Sequence, residues 1–152
     1  MAASFSRWKR WADRDTIAGI YFPGVYALAI SAADISGKPF TWRREIVYIG
    51  MTNSKGGLRS RLQQFDNTIH HKEGHGGARR FLTKYPDPVC LAKHLFVSVC
   101  SQGRKLSWDN PLDLRLMGRV ARQEYECMAT YYDEFGQLPE FNDKGRSPKE
   151  PW

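Results

Sequence analysis

The chain has 152 residues, 41% hydrophobic and 26% charged, the composition of a globular domain with one proper core and no room for two. Lys and Arg number 23 against 16 Asp and Glu, and the resulting +7 favours a polyanionic partner, with nucleic acid the commonest. No apolar run approaches the roughly 20 residues of a membrane span, and the charged start MAASFSRWKRWADRD lacks the apolar stretch of a signal peptide, so a membrane protein, a secreted scaffold and a disordered tail are set aside and a cytoplasmic location is expected.

In chain order, Phe5, Trp8, Trp11 and Ala12 stand at near-helical spacing and predict a short amphipathic helix from Ser6 to about Thr16. Pro23-Gly24 punctuates, and the run Val25–Ile30 reads as a buried strand. A loop with Gly37 and Pro39 follows, then a β-branched and aromatic strand, Glu45–Ile49, stopping at Gly50. The two strands most simply form an antiparallel hairpin. Lys55-Gly56-Gly57 turns the chain into a helix from Leu58 to about Ile69, whose apolar stripe is Leu58, Leu62, Phe65 and Ile69. After Glu73–Gly77 a short helix runs from Ala78 to Lys84, Tyr85–Pro88 is a turn, and Leu95–Val99 is the third strand. Asn110-Pro111 has the grammar of a helix start, and a long helix should run from Leu112 to Phe135, ended by Gly136. Residues 144–152 are polar and should fray. Three strands with helices on their faces make an α/β layered domain with mixed or antiparallel pairing.

Cys90, Cys100 and Cys127 form no C-x-x-C pair, so they are expected to be buried reduced thiols rather than zinc ligands or a redox centre. Several other polar residues sit where a plain core would not put them. Arg61 lies at the margin of the apolar stripe of its helix, and buried arginine requires an anion. Glu124 falls inside the apolar face formed by Met117, Val120, Ala121, Cys127, Met128 and Tyr131. A carboxylate placed there needs a cation, a hydrogen-bond network or a metal, and pairing with Arg61 or another arginine would suffice. Tyr26 and Tyr48 stand on the two strands of the hairpin, either packing or presenting two hydroxyls on one side. His70, His71 and His75 read as a solvated basic loop or, less simply, as metal ligands.

Gly24-Val25-Tyr26, then Tyr48-Ile49-Gly50-Met51-Thr52, then Leu58-Arg59-Ser60-Arg61-Leu62, resembles the GIY-YIG nuclease superfamily. The resemblance runs from about Pro23 to Asn142 and implies a small, mostly antiparallel three-stranded sheet flanked by helices. It divides the chain into an N-terminal helical extension (1–22), a nuclease domain (23–142) and a flexible tail (143–152). The literal string Gly19-Ile20-Tyr21 is a decoy, because Pro23 follows at once and makes a poor central strand. Two departures stand out: the segment between the tyrosine motifs is longer than the family usually shows, and Phe65 takes the place of a histidine that many members carry four residues after the arginine.

The resemblance implies a metal-dependent DNA endonuclease using Mg²⁺ or Mn²⁺ and one active site per chain, in restriction, repair or mobile-element biology. Tyr26 would activate or orient water, Tyr48 would orient water or phosphate, and Arg61 would hold a phosphate oxygen. Glu124 would bind the metal, which would stabilise the leaving oxygen. Asn142 would brace the site, and Lys55 stands where some members place a lysine near the reacting phosphate. DNA phosphates would meet Arg59, Lys72, His75, Arg79 and Arg80, contacts that position the duplex without reading its sequence. RNA stays open as a substrate, and double-strand cutting would require a homodimer or two nicks. The alternatives are a binding module on the same fold without turnover, and a small basic protein-interaction domain.

Overall fold

The computed structural model describes residues 4–70, 75–143 and 145. Four strands, β1 (Lys9–Arg10), β2 (Gly24–Ile30), β3 (Ile46–Thr52) and β4 (Leu95–Ser101), form one sheet in the order β1-β4-β2-β3, antiparallel throughout. The helices are α1 (Gly57–Ile69), α2 (Gly76–Lys84), α3 (Pro88–His94) and α4 (Pro111–Phe135). The sheet therefore has four strands, one more than the sequence reading allowed. The fold is mixed α/β, a small antiparallel sheet flanked by helices.

β2 is buried along nearly its whole length because both of its faces are covered. Tyr26 and Leu28 pack with Val97 and Val99 against the α1 residues Leu58, Leu62 and Phe65. The alternate residues Val25, Ala27 and Ala29 pack with Ile46, Ile49 and Phe96 against Val120, Cys127 and Tyr131 of α4. The long β2–β3 connection supplies Ile35, Phe40 and Trp42 to this second layer, where Phe40 stacks on Phe5 at 4.1 Å. That packing accounts for the length of the segment between the two tyrosine motifs.

The helix expected over Ser6–Thr16 is replaced by β1 and a 3-10 turn over Trp11–Thr16. Trp8 and Trp11 would share one face of a helix, yet they are buried in opposite layers of the sheet. An extended step through Lys9–Arg10, paired with Val97 and Phe96, carries the chain from one layer to the other. The segment before Pro23 thus contributes an edge strand and the core residues Trp8, Trp11, Ile17 and Ile20.

α3 went unread because Pro86-Asp87-Pro88 looks like a turn. Asp87 instead caps the helix by accepting from the Val89 and Cys90 N–H groups, with Pro88 at its first position. The same grammar starts α4, where Asn110 accepts from Asp113 N–H, and Gly136 ends it at φ 73°. Cys100 and Cys127 are buried as expected, but Cys90 on α3 is exposed. No helix among the described residues is long and apolar enough to cross a membrane.

Candidate functional site

β2 and β3 pair with Tyr26 opposite Gly50 and Leu28 opposite Tyr48, so both tyrosines lie on one face of the sheet, ring centroids 6.1 Å apart. Gly50 makes this possible. A Cβ at that position would fall inside the contact radius of the Tyr26 ring and hydroxyl, so the missing side chain is the space into which Tyr26 lies. β3 does not stop at Gly50 but stays paired with β2 through Met51 and Thr52. Gly77 does the same for Tyr48: a Cβ there would stand 2.7 Å from the Tyr48 hydroxyl. Tyr26 is fully buried, whereas Tyr48 is partly open.

His75 corrects the sequence reading most sharply. It is 1% exposed and caps α2, so it is no surface contact for DNA phosphates. Its Nε2 lies 2.8 Å from the Tyr26 hydroxyl, and its Nδ1 accepts from the Ala78 N–H at 3.3 Å. With Nδ1 occupied as an acceptor, the proton of the neutral ring resides on Nε2 and is donated to Tyr26. Burial, then the charges of Arg61 and Arg80, push the imidazole pKa down to about 3, so the ring is neutral at physiological pH. Its centroid lies 5.2 Å from that of Phe65, directly over the residue that replaces the histidine expected on α1.

Arg61 is the electrostatic hub. Its Nε is buried with no hydrogen-bond partner among the described residues, while its Nη1 donates to Gln64 at 3.1 Å. Burial pushes the Tyr26 phenol well above its ordinary range, Tyr48 adds to this, and Arg61 opposes it. Burial also raises Tyr48, against the pull of Arg61 and of the neighbouring Tyr26. Glu124 on α4 is partly buried, which raises its pKa, and Arg61 again opposes. One guanidinium therefore bears on Tyr26 of β2, Tyr48 of β3, His75 at the cap of α2 and Glu124 of α4.

Asn142 lies beyond α4 and clips the edge strand: its Oδ1 accepts from Ile49 N–H and its Nδ2 donates to Ile49 C=O, both at 2.8 Å. It thereby holds β3 between Tyr48 and Gly50. Arg80 donates to the Phe141 carbonyl at 2.8 Å, joining α2 to the same segment. Lys55 is exposed in the turn before α1. Arg59 is exposed but engaged, 3.5 Å from Asp15 and with its guanidinium over the Tyr21 ring. Arg79 is partly buried, and Lys72 and His71 lie outside the described residues.

Glu124 is the carboxylate of this cluster that could hold a divalent cation. No group of three His, Cys, Asp or Glu among the described residues could cage a metal, and Glu124 is a single carboxylate destabilised by burial. Mg²⁺ takes one or two carboxylates and keeps several waters, so a lone Glu124 matches it. The sequence places His75 on a solvated basic loop, or as partial compensation for the histidine missing at Phe65, and does not show its burial against Tyr26. The local signal was His75-Gly76-Gly77, where a capping side chain precedes a glycine that admits Tyr48. No protein-family model, curated protein or solved structure matches the chain.

Proposed function

We propose that the chain is a metal-dependent DNA endonuclease of the GIY-YIG type. The observation that carries this reading is Arg61, a cation whose buried Nε has no hydrogen-bond partner among the described residues and whose charge bears on Tyr26, Tyr48, His75 and Glu124. A planar guanidinium with a spare buried donor suits a non-bridging phosphate oxygen.

The remaining groups divide the work by accessibility. His75 donates to the Tyr26 oxygen, so the Tyr26 hydrogen is directed away from the imidazole, and the Tyr48 ring stands beside it. Tyr48, which is partly open, would then orient water or phosphate with its own hydroxyl. Tyr26 acts through Tyr48 as a positioning residue, and both phenols stay protonated at neutral pH because burial raises them. Asn142 keeps β3 in register, which fixes Tyr48 relative to Arg61. Glu124 would hold the divalent ion, whose contribution is electrostatic stabilisation of charge on the leaving oxygen.

The test is cleavage of supercoiled, linear and branched DNA with Mg²⁺ by the native protein and by Glu124→Gln. Cutting by the native protein that falls by about 10³-fold in the variant, the size expected for losing several kcal/mol of charge stabilisation, supports the reading. Salt-sensitive binding with no cutting by either protein, across several metals and substrates, overturns it in favour of a binding module.

A further inference from the structure

We infer that Trp108 is a stacking platform for a nucleobase displaced from its duplex, set beside the phosphate site. The inference rests on the nuclease reading and deepens it by naming the form of DNA the site takes.

Trp108 is 48% exposed, unlike Trp8 and Trp11, which are core residues. It is also the one non-glycine with positive φ among the described residues, at 68°. That region suits Gly and Asn and disfavours a bulky side chain, so the backbone here is held against its own preference. The brace is visible: Asp113, 2% exposed, accepts from Ser107 N–H and Ser107 Oγ at 2.7 Å each, from Asn110 Nδ2 at 3.2 Å, and from Arg104. A buried carboxylate with four donors thus stiffens the loop that presents the indole.

The ring is anchored to the residue after β3 and, through it, to α4. Its Nε1 donates to the Asn53 carbonyl at 2.8 Å, and Asn53 Nδ2 donates to the Met117 carbonyl at 3.1 Å. Asn53 follows the end of β3, three residues after Gly50, and Met117 lies two turns, about 10 Å, before Glu124 on α4. The indole therefore stands within a few nucleotides of the phosphate site. Its only polar side-chain atom is already used, so the exposed part of the indole is aromatic surface with no donor to offer. Such a face stacks on any base without reading its identity. Lys55, Arg104 and Lys105 are exposed on the neighbouring turns and suit the anionic backbone of the same strand. A base paired within a duplex hides its face, which makes an unpaired base at a flap or branch the fitting occupant.

The experiment compares a flap duplex carrying 2-aminopurine at the junction with a fully paired duplex, in metal-free buffer that permits binding without cutting. Trp108→Gly and Trp108→Asn both suit the backbone conformation, so they remove the ring without adding strain, and thermal melting verifies folding. The native protein should bind the flap and quench the 2-aminopurine, and Trp108→Phe should keep most of both. The Gly and Asn variants should lose affinity for the flap by about 10- to 100-fold, the worth of one stacked base, while their affinity for paired duplex changes little. Equal flap binding by folded Gly or Asn variants, or an equal loss on both DNAs, overturns the stacking role and leaves the nuclease reading standing. Absence of salt-sensitive binding to either DNA by the native protein overturns both.

Discussion

His75 should make the protein sensitive to mild acid through one identifiable proton. In the unfolded chain an imidazole titrates near 6.5, whereas in the fold its pKa is pushed down to about 3. Between those values the unfolded state binds the extra proton, so stability is fully present above about pH 6.5, falls as the pH drops toward 3, and falls no further from this source below that. The loss is about 1.4 kcal/mol per pH unit, or about 2 kcal/mol at pH 5 and at most about 5 kcal/mol in all. For a chain of this length, 2 kcal/mol corresponds to about 4–8 °C in melting temperature. Among the described residues, the groups facing the imidazole are Arg61 on α1, Arg80 on α2, and the neutral phenols Tyr26 and Tyr48, none of which favours the charged form. The assay is thermal melting from pH 7.5 to 5 for the native protein and His75→Gln, which cannot take up the proton. The variant starts lower, having lost a buried hydrogen bond, but its melting temperature should fall less steeply with acid. Nitrogen NMR should show the Nε2–H tautomer throughout. Parallel pH slopes for the two proteins, or an imidazole that titrates near 6.5 in the fold, would refute the reasoning.

Two further substitutions test how the tyrosines are held. Gly50→Ala drives a methyl into the Tyr26 ring, and overpacking plus loss of the Tyr26–His75 bond should cost about 3 kcal/mol, lowering the melting temperature by about 6–12 °C and abolishing cleavage. A melting temperature within about 2 °C of native would show that Tyr26 has room to move. Asn142→Ala removes both hydrogen bonds to Ile49 and should cost about 2 kcal/mol. Asn142→Asp, which sets a carboxylate against the Ile49 carbonyl, should cost more, and the opposite order in denaturant titration would contradict the clip.

What could be read from the residues was set by periodicity and punctuation. Val25–Ile30 and Leu95–Val99 are apolar runs of strand length, and α1 and α4 carry a 3.6-residue stripe, so these elements were legible at once. The placement of Glu124 inside the α4 stripe and of Arg61 at the edge of the α1 stripe was legible for the same reason. The N-terminal segment was not, because two tryptophans three apart fit a helix as well as a chain that crosses between layers. Nor was His75, since no local rule distinguishes a histidine buried against Tyr26 from one on a basic loop. Its partners, Tyr26 and Phe65, are 49 and 10 residues away, and only the packing of α2 against α1 brings the three together.

The charge balance of the site bears on why the proposed chemistry would need a metal. Arg61 is already shared: it opposes the rise of Glu124 and of both phenols, and adds to the burial that keeps His75 neutral. A phosphodiester adds one negative charge, and an in-line displacement concentrates charge on the leaving oxygen. One guanidinium that turns its spare Nε to the phosphate cannot also neutralise a partly buried carboxylate, so Glu124 would take up a proton or gain a second cation. Under the nuclease reading the second cation is the divalent ion, and Arg61 is released to the substrate. Arg61→Lys would then retain the charge but not the planar fork, separating what Arg61 does for the folded site from what it does for the phosphate.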